Sequence, residues 1–324
     1  MNGICTLAND YVFDQLVALL NSIDVILGKE TPVCIYPFDD QTQRIAEEIA
    51  KRPNVFLFDD QESIKRWDEF MLEASPASMN KHKYRIYGGH RRFCAFDGPF
   101  DKFVYLDADT IVMNSLDFVF DRLNQYDCVV YDFQFKYPDK VYNVNSSKLF
   151  KVFPEQRISK EIFCSGFYAS KKGLFNQEKI AELLSYLRNG EQEILYSTGD
   201  QPVLNYMFMR LGIPIYNFAH HLPNNQITGC TVTSLHFEEK ERILYDKGNR
   251  LTYLHYIGIP PTVNQAVCAG ENIEFPYRDL FLYYRYLHEP EKLPVFKHPP
   301  KHYNASPPNF LTRTLKKLKL IKQG

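Results

Sequence analysis

Residues 101–116 read DKFVYLDADTIVMNSL, and no other stretch constrains the fold as strongly. Phe103, Val104, Tyr105 and Leu106 form an apolar, aromatic run of the length of a buried strand. The run ends in Asp107 and Asp109, separated only by Ala108. Ligands in open α/β sheets sit at the carboxyl ends of strands. Alternate side chains of an extended or turning chain point the same way, so both carboxylates can converge on one hard cation. A polar turn with Asp109 capping the next element is the plainer alternative. The metal reading is preferred because a buried strand drives the pair outward and Ile111-Val112-Met113 continues apolar beyond it.

The rest of the chain supplies the sheet. Residues 4–7 read as a strand, followed by a helix with Leu16, Leu19, Leu20, Ile23 and Leu27 at a helical period. A strand at 33–36, a polar-faced helix at 41–51 and a strand at 55–58 continue the pattern. Such alternation predicts a mostly parallel sheet with helices on its faces. Residues 60–96 read as mostly helical, closing on a basic cluster of His90, Arg91 and Arg92. Past the Asp-x-Asp strand come a helix at 116–123, a strand at 128–131, and an irregular polar segment at 137–156 that suits a loop over a site. A strand at 162–169 and a helix at 177–187 follow. Ser197-Thr198-Gly199-Asp200 starts a helix that runs to Arg210 and stops at Gly212. The last elements are a strand at 251–256 and a helix at 277–287.

Six prolines between positions 290 and 308 interrupt regular structure and predict a linker or strap. The expected division is therefore 1–288 as the catalytic domain, 289–310 as the strap and 311–324 as a tail. That tail carries Arg313, Lys316, Lys317, Lys319 and Lys322, with Leu311, Leu315, Leu318 and Ile321 at helical spacing. A basic amphipathic helix suits an anionic membrane surface. A solvated tail, or a helix packed on its own domain, is the alternative.

With 38 Lys+Arg against 39 Asp+Glu, no global charge attracts nucleic acid. The seven cysteines are odd in number and widely spread, with no Cys-x-x-Cys pair. They predict a reducing compartment and no thiolate metal cluster. The N-terminus shows no leader pattern and no run approaches the ~18 apolar residues of a membrane span. A cytoplasmic protein is expected, peripheral at the inner membrane face if the tail binds there.

Four separated segments, TLANDY, YLDADTIVMNSLDFVFD, DQPVLNYMF and LHYIGI, occur in an order that resembles the glycogenin-like retaining glycosyltransferases of family 8. Galactinol synthases and bacterial lipooligosaccharide galactosyltransferases belong to the same group. The resemblance covers roughly residues 3–260 and implies an α/β fold of the GT-A nucleotide-diphospho-sugar transferase type. It also implies a reaction, transfer of a hexose from a nucleotide sugar, expected to be UDP-linked, to a glycan, lipid or other hydroxyl acceptor with retention. By motif position, Asp107, Asp109 and His255 would hold a divalent ion. Two carboxylates and an imidazole suit Mn²⁺, with Mg²⁺ as its substitute.

The same resemblance assigns Leu7, Ala8, Asn9, Asp10 and Tyr11 to the donor nucleotide, together with Arg92, Asp107, Ala108, Asp109 and Gly258. Asn9 or Asp10 could equally cap the following helix, and Arg91 is the alternate to Arg92. Ser165, Gly166, Asp200 and Gln201 would meet the donor sugar, the last two at the reacting face, although Asp200 could be only a helix cap. Two positions depart from the family pattern. An asparagine that touches the sugar is absent from Cys164-Ser165-Gly166, and a lysine that grips the diphosphate is absent from Gly258-Ile259-Pro260-Pro261-Thr262.

A strand ending Asp-x-Asp-x-Thr also opens haloacid-dehalogenase-like phosphatases, with Asp107 as nucleophile, Asp109 as acid/base and Mg²⁺ as cofactor. About a hundred α/β residues precede the motif here, and His255 has no role in that chemistry. A non-catalytic sugar-binding module would need the metal site without a donor pocket, which the TLANDY strand and turn argue against.

Overall fold

In the computed structural model, which describes residues 1–75, 88–196 and 199–304, the predicted alternation is realised from the first residue. The order is β1 (Asn2–Ala8), α1 (Phe13–Ile26), β2 (Val33–Pro37), α2 (Gln43–Ile49), β3 (Val55–Leu57), α3 (Gln61–Ala74) and β4 (Lys102–Leu106). Then come β5 (Thr110–Val112), α4 (Asp117–Arg122), β6 (Cys128–Val130), β7 (Phe167–Lys171), α5 (Gln177–Arg188), α6 (Asp200–Arg210) and β8 (Ile215–Asn217). These strands, β5 apart, build one seven-stranded sheet in the order β3-β2-β1-β4-β7-β6-β8. Every pairing is parallel except the two made by β7, which runs against β4 and β6.

The central strand reads as a continuous apolar run because both faces of the sheet are covered. Phe103 and Tyr105 point into one cluster with Tyr36, Trp67, Phe96 and Tyr168. Val104 and Leu106 point into the other with Leu16, Leu19, Ile35 and Phe167. Much of the aromatic content is absorbed here: Trp67 meets Phe70, Phe93 and Phe175 edge-on. α1 stops at Gly28, whose φ of +102° closes the last turn, with its N–H returning to the Ile23 carbonyl.

The C-terminal third begins with a small antiparallel meander of β9 (Glu238–Lys240), β10 (Ile243–Asp246) and β11 (Asn249–Arg250). β12 (Tyr253–His255) then pairs antiparallel with β5. α7 (Pro261–Cys268), β13 (Ile273–Glu274) and α8 (Arg278–Arg285) follow. A third cluster ties Ile111 and Leu254 of the β5–β12 pair to Val267, Phe281 and Tyr284. In the proline-rich stretch, β14 (Lys301–His302) lies parallel to β13, so this part of the strap returns along the domain.

Three expectations need correction. Residues 162–166 are a turn rather than strand, because the Asn205 side chain takes both the N–H and the carbonyl of Phe163 at 2.9 Å and replaces a ladder partner. Residues 137–156 are short helical turns packed inward, with Val141, Tyr142, Leu149 and Phe153 buried in the core, not a polar loop. Among the described residues of 60–96 the α-helix is α3, and Gly89–Phe96 winds more tightly as a 3₁₀ segment; 76–87 lie outside the described residues. The basic tail, 311–324, lies outside the described residues. Among the described residues no helix is long and apolar enough to cross a membrane.

Candidate active site

β4 ends at Leu106 and the chain turns through Asp107 and Asp109 before β5 begins. Thr110 closes that turn, its N–H and hydroxyl both donating to the Asp107 carbonyl at 3.0 and 2.7 Å. The register of the next pairing decides the site. β5 and β12 align Thr110 with His255, which carries a residue nearly 150 positions away to the carboxylate pair (255 − 107 = 148). The Tyr256 N–H donates to the Asp109 carbonyl at 2.9 Å and fixes that alignment. His255 Nε2 then stands 3.2 Å from Asp109 Oδ1 and 4.0 Å from Asp107 Oδ2. One ligand atom from each of the three lies within 4.8 Å of the others.

Glycine is required opposite this triad. A Cβ at Gly166 would sit 2.5 Å from the His255 ring and 2.9 Å from Asp107 Oδ2. The residues present therefore fit a divalent ion: two hard carboxylates, one imidazole, and a wall kept bare of side chain.

Arg92 organises the other flank from the 3₁₀ segment. Its guanidinium ion-pairs Asp107 at 3.1 Å and Asp200 at 2.7 Å, and donates to the Ser165 carbonyl at 2.8 Å. Arg91, by contrast, pairs with Asp68. Gln201 accepts from the Ser165 N–H at 3.0 Å, and Asp107 N–H donates to the Gly166 carbonyl at 2.9 Å. Ser165, Gly166, Asp200 and Gln201 are thus brought together with the metal-ligand candidates. The cap proposed for Asp200 is not what its carboxylate does, since that group faces Arg92.

A cavity of about 230 Å³ opens beside the triad. Leu7, Ala8, Asn9 and Tyr11 line it from the end of β1, facing Arg92, Asp107, Ala108 and Asp109. Asp10 does not line it: both its oxygens accept from the Arg44 and Ile45 N–H groups at 3.1 Å and cap α2. Asn9 also caps, accepting from the Tyr11 N–H, while its amide donates to Asp39. Gly258 adopts φ +86° with open space where a side chain would stand. A larger groove of about 590 Å³ lies elsewhere, around Arg52, whose bonds to Asp24, Glu48 and Asn21 read as a structural staple.

The sequence profile of glycosyl transferase family 8 matches residues 4–260, a span that includes the carboxylate pair and His255. The chain belongs to that family. Comparison with curated protein sequences found no match. Among solved structures, the fold is similar to the galactosyltransferase LgtC in complex with donor and acceptor sugar analogues, at 16% identity and a TM-score of 0.51, over 80% of this chain and 87% of that one. It is also similar to the bifunctional glycosyltransferase WbbM, at 17% identity and a TM-score of 0.50, over 90% of this chain and 51% of that one. Mouse xyloside xylosyltransferase 1 aligns at 11% identity and a TM-score of 0.47, over 67% and 85%. The fold is the GT-A glycosyltransferase fold and the protein is a glycosyltransferase; the phosphatase and the non-catalytic module fall away.

In this family-8 site, charge is finely opposed. Burial disfavours a charged imidazole, yet the adjacent Asp109 outweighs it and raises His255 well above its ordinary value. Burial likewise pushes against the Asp109 anion, but His255 holds that carboxyl below its usual range. Asp107 is raised by burial and by repulsion from Asp109 and Asp200, against the pull of Arg92 and His255. His255 and Asp109 form a salt bridge, so the imidazole proton and a divalent ion would compete for the same ring nitrogen.

Sequence reasoning missed Phe38, Gln15 and Gly89, all of which line the 230 Å³ cavity. Phe38 follows the carboxyl end of β2, beside β1, so the rule that located Asp107 would have found it. A second cavity of about 400 Å³, beyond His255, was also missed; Asp132, Gln134, Tyr137 and Cys164 line it. Burial pushes Asp132 up to about 7, against N–H groups of Gln134 and Cys164 that bond its anion.

Proposed function

We propose that this glycosyltransferase moves a hexose from a UDP-hexose to a hydroxyl of a glycan or lipid-linked acceptor, with retention and with Mn²⁺ at Asp107, Asp109 and His255. The observation that carries the reading is the β5–β12 register, which delivers an imidazole to the Asp-x-Asp pair directly beside the 230 Å³ cavity. An ion held there supplies positive charge that stabilises the leaving nucleoside diphosphate.

Placement supports the other roles. Leu7, Ala8, Asn9 and Tyr11 receive the nucleoside, with Tyr11 and Phe38 as the aromatic surfaces of the cavity. Asp10 contributes at one remove, through the cap that fixes this turn. Ala108 and Gly258 leave the backbone open to the phosphates. Arg92 holds Asp107 and Asp200 in place, and Gln201 is oriented by Ser165. Together with Gly166, these residues seat the donor sugar.

Retention here proceeds by front-face attack. The bond from the anomeric carbon to the phosphate oxygen breaks, the electron pair leaving with the diphosphate. The acceptor oxygen bonds the same face, and its proton passes to the departing phosphate. The acceptor enters from the 400 Å³ cavity, where Asp132, Gln134 and Tyr137 offer polar and aromatic contacts. Seven free thiols fit a cytoplasmic protein, and the basic tail suits peripheral contact with an anionic membrane face.

The test is donor hydrolysis with Mn²⁺ and no acceptor, across a panel of UDP- and GDP-linked hexoses. A UDP-hexose should be consumed, with loss of turnover in chelator. Consumption of no nucleotide sugar, or equal rates with chelator, rejects the proposal.

A further inference from the structure

We propose that in this chain the diphosphate end of the donor is held by neutral hydrogen-bond donors, the Gln15 side-chain amide and the first turn of α7, where a basic side chain would otherwise serve. This deepens the donor reading and rests on it. Among the described residues lining the donor-side cavity, Arg92 is the one cation, and its guanidinium is already shared by Asp107 and Asp200. The residue three past Gly258 is Pro261, which carries no charge and itself lines the cavity as the first residue of α7.

What the cavity does offer is neutral. Gln15 lines it, is only 4% exposed, and among the described residues its amide meets no hydrogen-bond partner. Its amide is not sealed from solvent, so it stands at the cavity wall free to bond a ligand. α7 presents its N-terminus at the same wall. Proline has no N–H to offer, and the Val263 N–H turns back to the Pro260 carbonyl at 2.9 Å, which leaves the Thr262 N–H at the tip. The positive end of the helix dipole favours a phosphate there. Gly258, just before it, leaves open space where a side chain would block approach.

The test is calorimetric titration of UDP and UMP, with Mn²⁺, into wild type, Gln15→Leu, Gln15→Glu and Pro261→Lys. Loss of one hydrogen bond to a charged group predicts UDP binding about tenfold weaker in Gln15→Leu. UMP, which lacks the second phosphate, should change about twofold or less. Gln15→Glu places a like charge by the phosphates and should lose more than Gln15→Leu. Pro261→Lys should bind UDP more tightly and with steeper salt dependence. Should Gln15→Leu fail to fold, Gln15→Glu and Pro261→Lys carry the comparison. UDP affinities equal to wild type in the variants, or equal losses for UDP and UMP, overturn the inference while the donor reading stands. A wild type that binds no UDP with Mn²⁺ overturns both, and that outcome is visible without any variant.

Discussion

His255 pairs with Asp109 at 3.2 Å and is nearly buried, so its proton competes with any metal for the same ring nitrogen. The sign follows from its raised value. An imidazole raised by its partner contributes stability that is fully present below its unfolded value of about 6.5 and is lost as pH climbs through the folded value. Metal-free protein should therefore melt at lower temperature as pH rises past about 6.5, while Mn²⁺ affinity rises over the same window. His255→Ala should flatten both trends, which calorimetric melts and Mn²⁺ titrations at stepped pH will read. Asp109→Asn keeps shape but removes a charged ligand; turnover should fall by roughly three orders of magnitude or more, with an unchanged circular dichroism spectrum. At this scale Asp107 and Asp109 were legible because a buried strand aims them outward. Asp10 takes the capping alternative left open for it, bonding the Arg44 and Ile45 N–H groups, because an acid after a strand caps a neighbouring helix as readily as it binds a ligand. Gln15 was invisible, since a polar residue in the first turn of a helix carries no periodic signal.

The elements that hold the site in register are β5, β12 and the turn clamped by Asn205. β12 delivers His255 only because Leu254 and Ile111 share a buried face; a slip of one residue would turn the imidazole away. Asn205 donates to the Phe163 and Gln201 carbonyls and accepts from the Phe163 N–H, tying the 162–166 turn to α6. Asn205→Ala leaves the buried Phe163 N–H and carbonyl without this partner, and should cost about 2–3 kcal/mol in urea denaturation. Activity should fall with it, since Ser165 and Gln201 lose their common support. Strand and helix order was readable from the alternation of apolar runs and amphipathic periods. The 162–166 turn was not, because Ile162 and Phe163 are as apolar as strand residues, and only a side chain 42 positions away shows that their backbone leaves the ladder. The 137–156 segment escaped likewise: its buried side chains sit on turns too short to show a period.

On the scale of the whole molecule, the covered sheet and the third apolar cluster form a frame whose far-separated segments meet at one site. A ligand bridging them stabilises the fold by mass action, about 2.7 kcal/mol at a hundredfold excess over its dissociation constant. UDP with Mn²⁺ should raise the melting temperature, and either alone should raise it less. The basic tail carries a separate expectation. Truncation after Pro308 should preserve activity on a soluble acceptor and abolish sedimentation with anionic vesicles, each surface Lys or Arg adding ~1 kcal/mol; unchanged sedimentation would reject the membrane role. The central claim is that residues 107, 109 and 255 make one metal site, and the free Mn²⁺ signal in electron paramagnetic resonance tests it most directly. Titrated at pH 7.5, wild type should deplete that signal with one ion per chain, while His255→Ala and Asp109→Asn bind at least tenfold more weakly, the loss expected for one missing ligand (about 1.4 kcal/mol or more). Equal depletion by wild type and both variants would contradict that claim.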